Sequence, residues 1–201
     1  FSIASDAGAQ TLAAQFQRND GFAVGSGAYN AGGTQTINYA YQRAPSFHDV
    51  VCYTGNNTAR TINHNLGVVP ELMIFKNRTD SDTGWITALT VGGLSWTSGN
   101  FLRLELTNGT LTNTAVLDTT PTATVFSIPS TNTLNYTASN YVASLFSTCP
   151  GVSKVGSYTG TGALLTVNCG FAAGARFVLI KRTDSTGDWY TYDSARGITS
   201  G

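Results

Sequence analysis

The sequence predicts an all-β protein of antiparallel β-sandwich units set in tandem, and three observations carry that prediction. Charged residues are only 11% of the 201, so the Lys and Glu that form the solvent face of surface helices are scarce. Hydrophobic residues reach 41% and aromatics 11%, gathered in short β-branched or aromatic runs bounded by Gly, Asn, Pro and Asp, a pattern of strands and turns that argues against disorder. The chain also resembles itself at a spacing of about 105 residues.

The repeat is read from matched strings. Val51-Cys52-Tyr53-Thr54-Gly55-Asn56 returns as Gly156-Ser157-Tyr158-Thr159-Gly160-Thr161, and Tyr53 and Tyr158 stand 105 residues apart. The same offset carries Ile62 to Val167, Asn63 to Asn168, and Leu72-Met73-Ile74-Phe75-Lys76 to Phe177-Val178-Leu179-Ile180-Lys181. One residue is then lost, as in a loop deletion: Arg78-Thr79-Asp80 meets Arg182-Thr183-Asp184, and Trp85 meets Trp189, at 104. Gly21-Phe22-Ala23-Val24 aligns at 104 with Val125-Phe126-Ser127-Ile128, and Asn30 and Gly33 fall opposite Asn135 and Ala138 at 105. Residues 1–43 thus read as the C-terminal part of one unit, 44–147 as a complete unit and 148–201 as the N-terminal part of a third. Two arrangements follow: a piece of a longer polypeptide, or terminal parts that complete one another as a second, permuted domain.

Along the chain, Ala7 to Arg18 has Leu12 and Phe16 four apart and reads as a helix, with strand and loop as the alternative. Asn30-Ala31-Gly32-Gly33 is a turn, followed by the apolar run Ile37 to Tyr41. Strands are expected over Asp49 to Tyr53, Arg60 to His64, Glu71 to Lys76, Phe101 to Leu106, Thr122 to Ile128, Tyr141 to Phe146, Leu164 to Cys169 and Arg176 to Lys181. Both faces of Leu72 to Lys76 are mostly apolar, which fits a central strand covered on both sides. Gly55-Asn56, Asn108-Gly109 and Thr159-Gly160 are turn signals, since Asn and Gly accept the positive φ of tight hairpins.

Several function classes are disfavoured. Net charge is zero, so no long-range field draws the chain to nucleic acid or anionic lipid. No apolar run approaches the roughly 20 residues of a membrane span, and the first residues lack the basic start of a signal peptide. Cys52, Cys149 and Cys169 form no CxxC pair and no His spacing suited to zinc, and read as small core or half-buried residues. No cofactor is expected.

The chemistry is thin. His48 beside Asp49 on a strand would point to the opposite face, so the pair forms no relay, and His48 reads as a surface or turn residue. His64 lies opposite Cys169 in the repeat, which argues for packing over catalysis. Asp80-Ser81-Asp82-Thr83-Gly84 begins like a calcium loop, but Val91 stands where the bidentate Glu belongs, so Asp80 and Asp82 are weak metal candidates and an Asp-rich turn is the better reading. Trp85, Trp96 and Trp189, with Tyr190 and Tyr192, are the candidate platform for sugar stacking. Against this, the equivalence of Trp85 and Trp189 favours an anchor in each unit's core.

A family resemblance rests on Asn19-Asp20-Gly21-Phe22-Ala23-Val24-Gly25, Tyr53-Thr54-Gly55-Asn56-Asn57, Leu66 to Arg78, Asn140-Tyr141-Val142-Ala143 and Trp189-Tyr190-Thr191-Tyr192-Asp193-Ser194-Ala195-Arg196-Gly197. These strings, over nearly the whole chain, resemble a repeat module of structural proteins in tailed bacteriophages, found in virion, tail or fibre-associated chains. The resemblance implies a lectin- or jelly-roll-like β-sandwich, a virion location exposed to the medium, and assembly with itself, as a homotrimer, and with other virion proteins. It supplies no catalytic residue. The Asp-x-x-Arg-Gly motif is kept only at Asp193 and Arg196; after Trp85 the sequence reads Ile86-Thr87-Ala88-Leu89-Thr90. A structural Asp–Arg pair is the favoured reading of that motif, with ligand binding the alternative.

Three functions compete. The first is a virion structural repeat of a tail fibre or appendage that contributes to architecture and host attachment. The second is a lectin-like adhesin that binds host surface glycan. A glycan depolymerase ranks last, because it needs two carboxylates roughly 5–10 Å apart. The only glutamates, Glu71 and Glu105, sit in expected strands with no second acid nearby in sequence.

Overall fold

In the computed structural model the described residues are 14–18, 21–24, 32–33, 35–36, 38–80, 83–114, 116–130 and 132–196. They form an all-β, antiparallel structure whose helical content is one four-residue turn, α1 (Asn132–Asn135), and a 3-10 turn at Ser194–Arg196. The strands are β1 (Ala14–Arg18), β2 (Gly21–Val24), β3 (His48–Thr54), β4 (Arg60–Asn63), β5 (Leu72–Asn77), β6 (Ile86–Leu89), β7 (Asn100–Arg103), β8 (Leu111–Thr112), β9 (Val125–Ile128), β10 (Asn140–Phe146), β11 (Phe177–Lys181) and β12 (Trp189–Asp193).

The principal sheet has six strands in the order β3-β10-β5-β6-β7-β8. Alternation sorts its side chains into two faces. On the inner face the rows read Tyr53–Tyr141–Asn77, then Val51–Ala143–Phe75–Ile86, then Asp49–Leu145–Met73–Ala88. The ribbon β4–β9 closes over that face with Ile62, Phe126 and Ile128, and Phe126 meets Phe75 edge-on at 5.6 Å between ring centroids. Leu66, Trp96, Val116, Leu117 and Leu134 fill the remaining space. This core lies wholly between Tyr53 and Leu145.

The Tyr-Thr-Gly-Asn string has a specific role in that packing. Tyr53 stacks on Tyr141 at 5.1 Å and donates its hydroxyl to Leu134 O. Gly55 is pressed against the backbone of Asn135 and Tyr136, where an added Cβ would lie 2.1 Å from Tyr136 O, so only glycine fits. Asn135, fully buried, accepts from Asn56 N and donates to Thr58 O and Pro129 O.

The ends of the chain are built differently. β1 and β2 pair with each other, so the expected helix is a strand over 14–18, while residues 7–13 lie outside the described residues. A helix this short with only two apolar anchors is marginal in water, whereas the hairpin holds the same backbone by cross-strand bonds. Leu164 to Cys169, expected as a strand, has no ladder, and Leu164 is fully exposed. Its counterpart β4 gains its ladder from β9, a strand 65 residues further along, and nothing pairs with 164–169 among the described residues. Tyr158 accordingly sits in coil at 52% exposure whereas Tyr53 is buried: the groups that enclose Tyr53 come from Phe126, Leu134 and Tyr141, far later in the chain.

One element is nevertheless made twice. β11 and β12 pair with Phe177 opposite Asp193 and Lys181 near Trp189, which is the β5–β6 hairpin, Leu72 opposite Leu89, carried along by the repeat offset. In each, the lysine ammonium lies 6.0 Å from the tryptophan ring centroid and donates to a carbonyl two residues before it, Thr83 O or Gly187 O.

Candidate functional site

The motif residues converge on the β11–β12 hairpin, which carries four of the seven candidate ligand residues, Trp189, Tyr190, Tyr192 and Asp193, and whose 3-10 exit carries a fifth, Arg196. Along β12 the side chains alternate, placing Trp189, Thr191 and Asp193 on one face and Tyr190 and Tyr192 on the other. The first face is engaged. Trp189 Nε1 donates to Arg103 O at 2.9 Å, Gly187 N to Thr107 O, and Thr110 N to Thr183 O, so the hairpin is docked on the β7–β8 connection. Gly109 makes that approach possible, since a Cβ there would lie 2.9 Å from both Thr183 O and Ser185 O.

Asp193 is buried and caps the 3-10 turn by accepting from Arg196 N at 2.9 Å; its other oxygen takes Arg196 Nε at 2.6 Å and the Tyr39 hydroxyl at 2.8 Å. Burial pushes its carboxyl up, but these donors outweigh that and hold it below the ordinary value. Arg196 also reaches Tyr39 Oη and Thr191 O. Tyr39 packs on Phe177 at 4.7 Å, and Tyr41 lies against Phe47, His48 and Phe146. The Asp193–Arg196 ion pair is thus joined by Tyr39, from 154 residues earlier in the chain. Nothing in the repeat pattern pointed to Tyr39.

The remaining candidates separate. Trp96 is 2% exposed inside the core, out of reach of any ligand in solution. Trp85 is half-buried against Lys76, and its backbone N–H donates to Glu105 Oε2 at 2.9 Å. The three tryptophans thus do not share one surface. Of the candidates, Tyr190 and Tyr192 are the ones that present exposed rings, at 51% and 47%. Asp80 lies on an exposed turn, Asp82 lies outside the described residues, and no group of three metal-ligating side chains occurs among the described residues.

Other expectations are corrected. His48 is buried, not a surface residue: its ring stacks on Phe146 at 4.3 Å and Nδ1–H donates to Leu145 O at 3.0 Å. The cover comes from Tyr41 and from a strand about a hundred residues away, which local sequence does not reveal. Cys52 is exposed on the outer face of the edge strand β3, while Cys149 and Cys169 are half-buried, and all three are free thiols. His64 packs as expected, accepting from Leu66 N at Nδ1 and donating Nε2–H to Thr122 O. Glu71 accepts from Thr148 N, and Glu105 holds Arg103 and Trp85 N, so both glutamates are tied into backbone contacts. An open cleft of about 620 Å³ between the Gly92–Leu94 turn and the 183–186 loop is lined by Leu94, Asn100, Asp184, Ser185, threonines and glycines, with no aromatic face for a sugar ring.

No curated protein and no solved structure matches the chain. The profile of a family described as a domain of unknown function, DUF7483, matches residues 21–200, from β2 through the docked hairpin and its Asp193–Arg196 pair, and the chain belongs to that family.

Proposed function

We propose that this chain is a structural module of a bacteriophage particle, a tail-fibre or appendage repeat that assembles with itself and with other virion proteins and contributes to host attachment without catalysis. The observation that carries the reading is that the same hairpin, in the same register and with the same lysine-on-tryptophan contact, is built twice along one chain. Its chemistry-bearing residues are also spent on joining segments: Asp193 and Arg196 hold Tyr39, and Trp189 holds Arg103. Such use suits a mechanical module. The resemblance of the motif strings to tailed-phage repeats supplies the biological setting, a virion surface facing the medium. Antibody raised against the chain should label the tails or appendages of intact particles by immunogold microscopy; particles that remain unlabelled while their source lysate contains the chain would refute the assignment.

One observation favours a second reading, a lectin-like adhesin: Tyr190 and Tyr192 stand exposed on the same face of β12, where sugar C–H faces could stack. A glycan array probed with the intact chain tests it. Binding lost in Tyr192→Ala supports the adhesin, and uniform absence of binding removes it.

A further inference from the structure

The hairpin β11–β12 exposes a face that its twin buries. Val178, Ile180, Tyr190 and Tyr192 share that face, with Val178 opposite Tyr192 and Ile180 opposite Tyr190. Their counterparts in β5 and β6 are Met73, Phe75, Ile86 and Ala88, all at most 3% exposed and covered by the β4–β9 ribbon. In the second hairpin the two tyrosines are about half exposed, and the segment corresponding to β4 lies open, with Leu165 at 41% and Val167 at 46%. A contiguous surface of core composition is thus left without its covering layer.

The repeat states what the cover is. Val167 corresponds to Ile62 of β4, and β4 is completed by β9, whose counterpart in this chain is β2, with Phe22 and Val24 at the places of the buried Phe126 and Ile128. β2 is already a strand, bonded to β1 along one edge. Among the described residues of the N-terminal segment, Tyr39 meets Phe177 and Asp193, which belong to the opposite face of the hairpin. Tyr39 holds the hairpin from behind and leaves the core-type face outward.

We propose that this face is completed by β2 of a second copy of the chain, which pairs with residues 165–168 and packs Phe22 and Val24 over Val178, Ile180, Tyr190 and Tyr192. Donor and acceptor are different surfaces; the contact is head-to-tail and, rather than closing into a ring, adds copies into an open-ended strand. The proposal stands on the repeat and the exposed face alone and does not depend on the phage reading.

The test uses the full 201-residue chain and two variants measured by sedimentation velocity. Phe22→Asp with Val24→Asp removes the donor; Tyr190→Glu with Tyr192→Glu, both at exposed positions, removes the acceptor. Wild type should form a ladder of oligomers that lengthens with concentration, each variant alone should be monomeric, and an equimolar mixture should give a species of twice the monomer mass that grows no further. Amide spectra of β10 report that the central unit is folded in every sample; should the tyrosine variant lose the β11–β12 ladder, Val167→Glu, in exposed coil, replaces it as the acceptor-blocked chain. Wild type that stays monomeric at all concentrations overturns the proposal, whether the face is closed within one chain or binds an oligosaccharide. A mixture that yields no dimer, or a closed oligomer that survives both variants, overturns it equally.

Discussion

Asn135 ties two loops to the core through one buried amide that satisfies three backbone groups. Asn135→Ala leaves Asn56 N, Thr58 O and Pro129 O without partners in a dry site and should destabilise the protein by about 2–4 kcal/mol. Asn135→Asp keeps the acceptor but turns a charge toward two carbonyls, so it should be no milder at neutral pH; denaturant midpoints of the three chains check both. The histidines set a pH dependence at the same scale. Burial pulls His48 and His64 below their ordinary value of 6.5, against weaker opposing effects of their hydrogen bonds to Leu145 O and Thr122 O and of Asp49. The unfolded chain therefore binds these protons first: stability is full above about pH 6.5 and is lost as pH falls toward the depressed folded values. Protonated His64 would also turn an N–H toward Leu66 N. The denaturation midpoint should drop between pH 7.5 and pH 5.5, measured by urea titration, and His64→Gln should flatten that slope; an unchanged slope would show that the ring does not titrate with folding.

At the scale of elements, the docked hairpin turns on one glycine. Gly109→Val would drive a side chain into the backbone of the 183–185 loop and separate Thr110 N from Thr183 O and Gly187 N from Thr107 O. Amide exchange at Thr110 and Gly187 should quicken by about tenfold, an opening easier by ~1.4 kcal/mol, while Tyr141 and Ala143 on β10 exchange as before. Which elements were legible follows the same logic of partners. β3, β4, β5, β10 and β11 carry dense β-branched or aromatic runs and lie where the sequence places them, within a residue or two. β6 and β8, of four and two residues, are too short for a strand run to stand out, and β12 reads in the sequence only as a motif. Leu164 to Cys169 has strand composition and no strand, because a ladder needs a second chain segment that composition cannot supply. The candidate site divides in the same way: Asp193 with Arg196 is a local pair, three residues apart and readable, whereas Tyr39 and Arg103 join the hairpin only through the fold.

Over the whole molecule, stability should be unevenly distributed, since the core lies entirely between Tyr53 and Leu145 and none of its members comes from residues 148–196. Local opening free energy follows buried apolar contact and shielded backbone hydrogen bonds. β10 has both: it is bonded on both edges, to β3 and β5, and its inner side chains Tyr141, Ala143 and Leu145 are fully buried. β11 is bonded on one edge only, and every one of its residues is partly exposed. Hydrogen exchange on the full chain at concentrations low enough to keep it monomeric should therefore show β3, β5 and β10 opening only with global unfolding. β11 and β12 should open through a separate, lower-energy event, and residues 156–176 should exchange fastest. Raising the concentration distinguishes a hairpin that is merely weak from one that awaits a partner: protection gained by β11, β12 and 165–168, with β10 unchanged, is the signature of a face being covered by another copy. Uniform protection from β3 to β12 at low concentration would mean that the two hairpins share one cooperative core, contrary to the burial pattern.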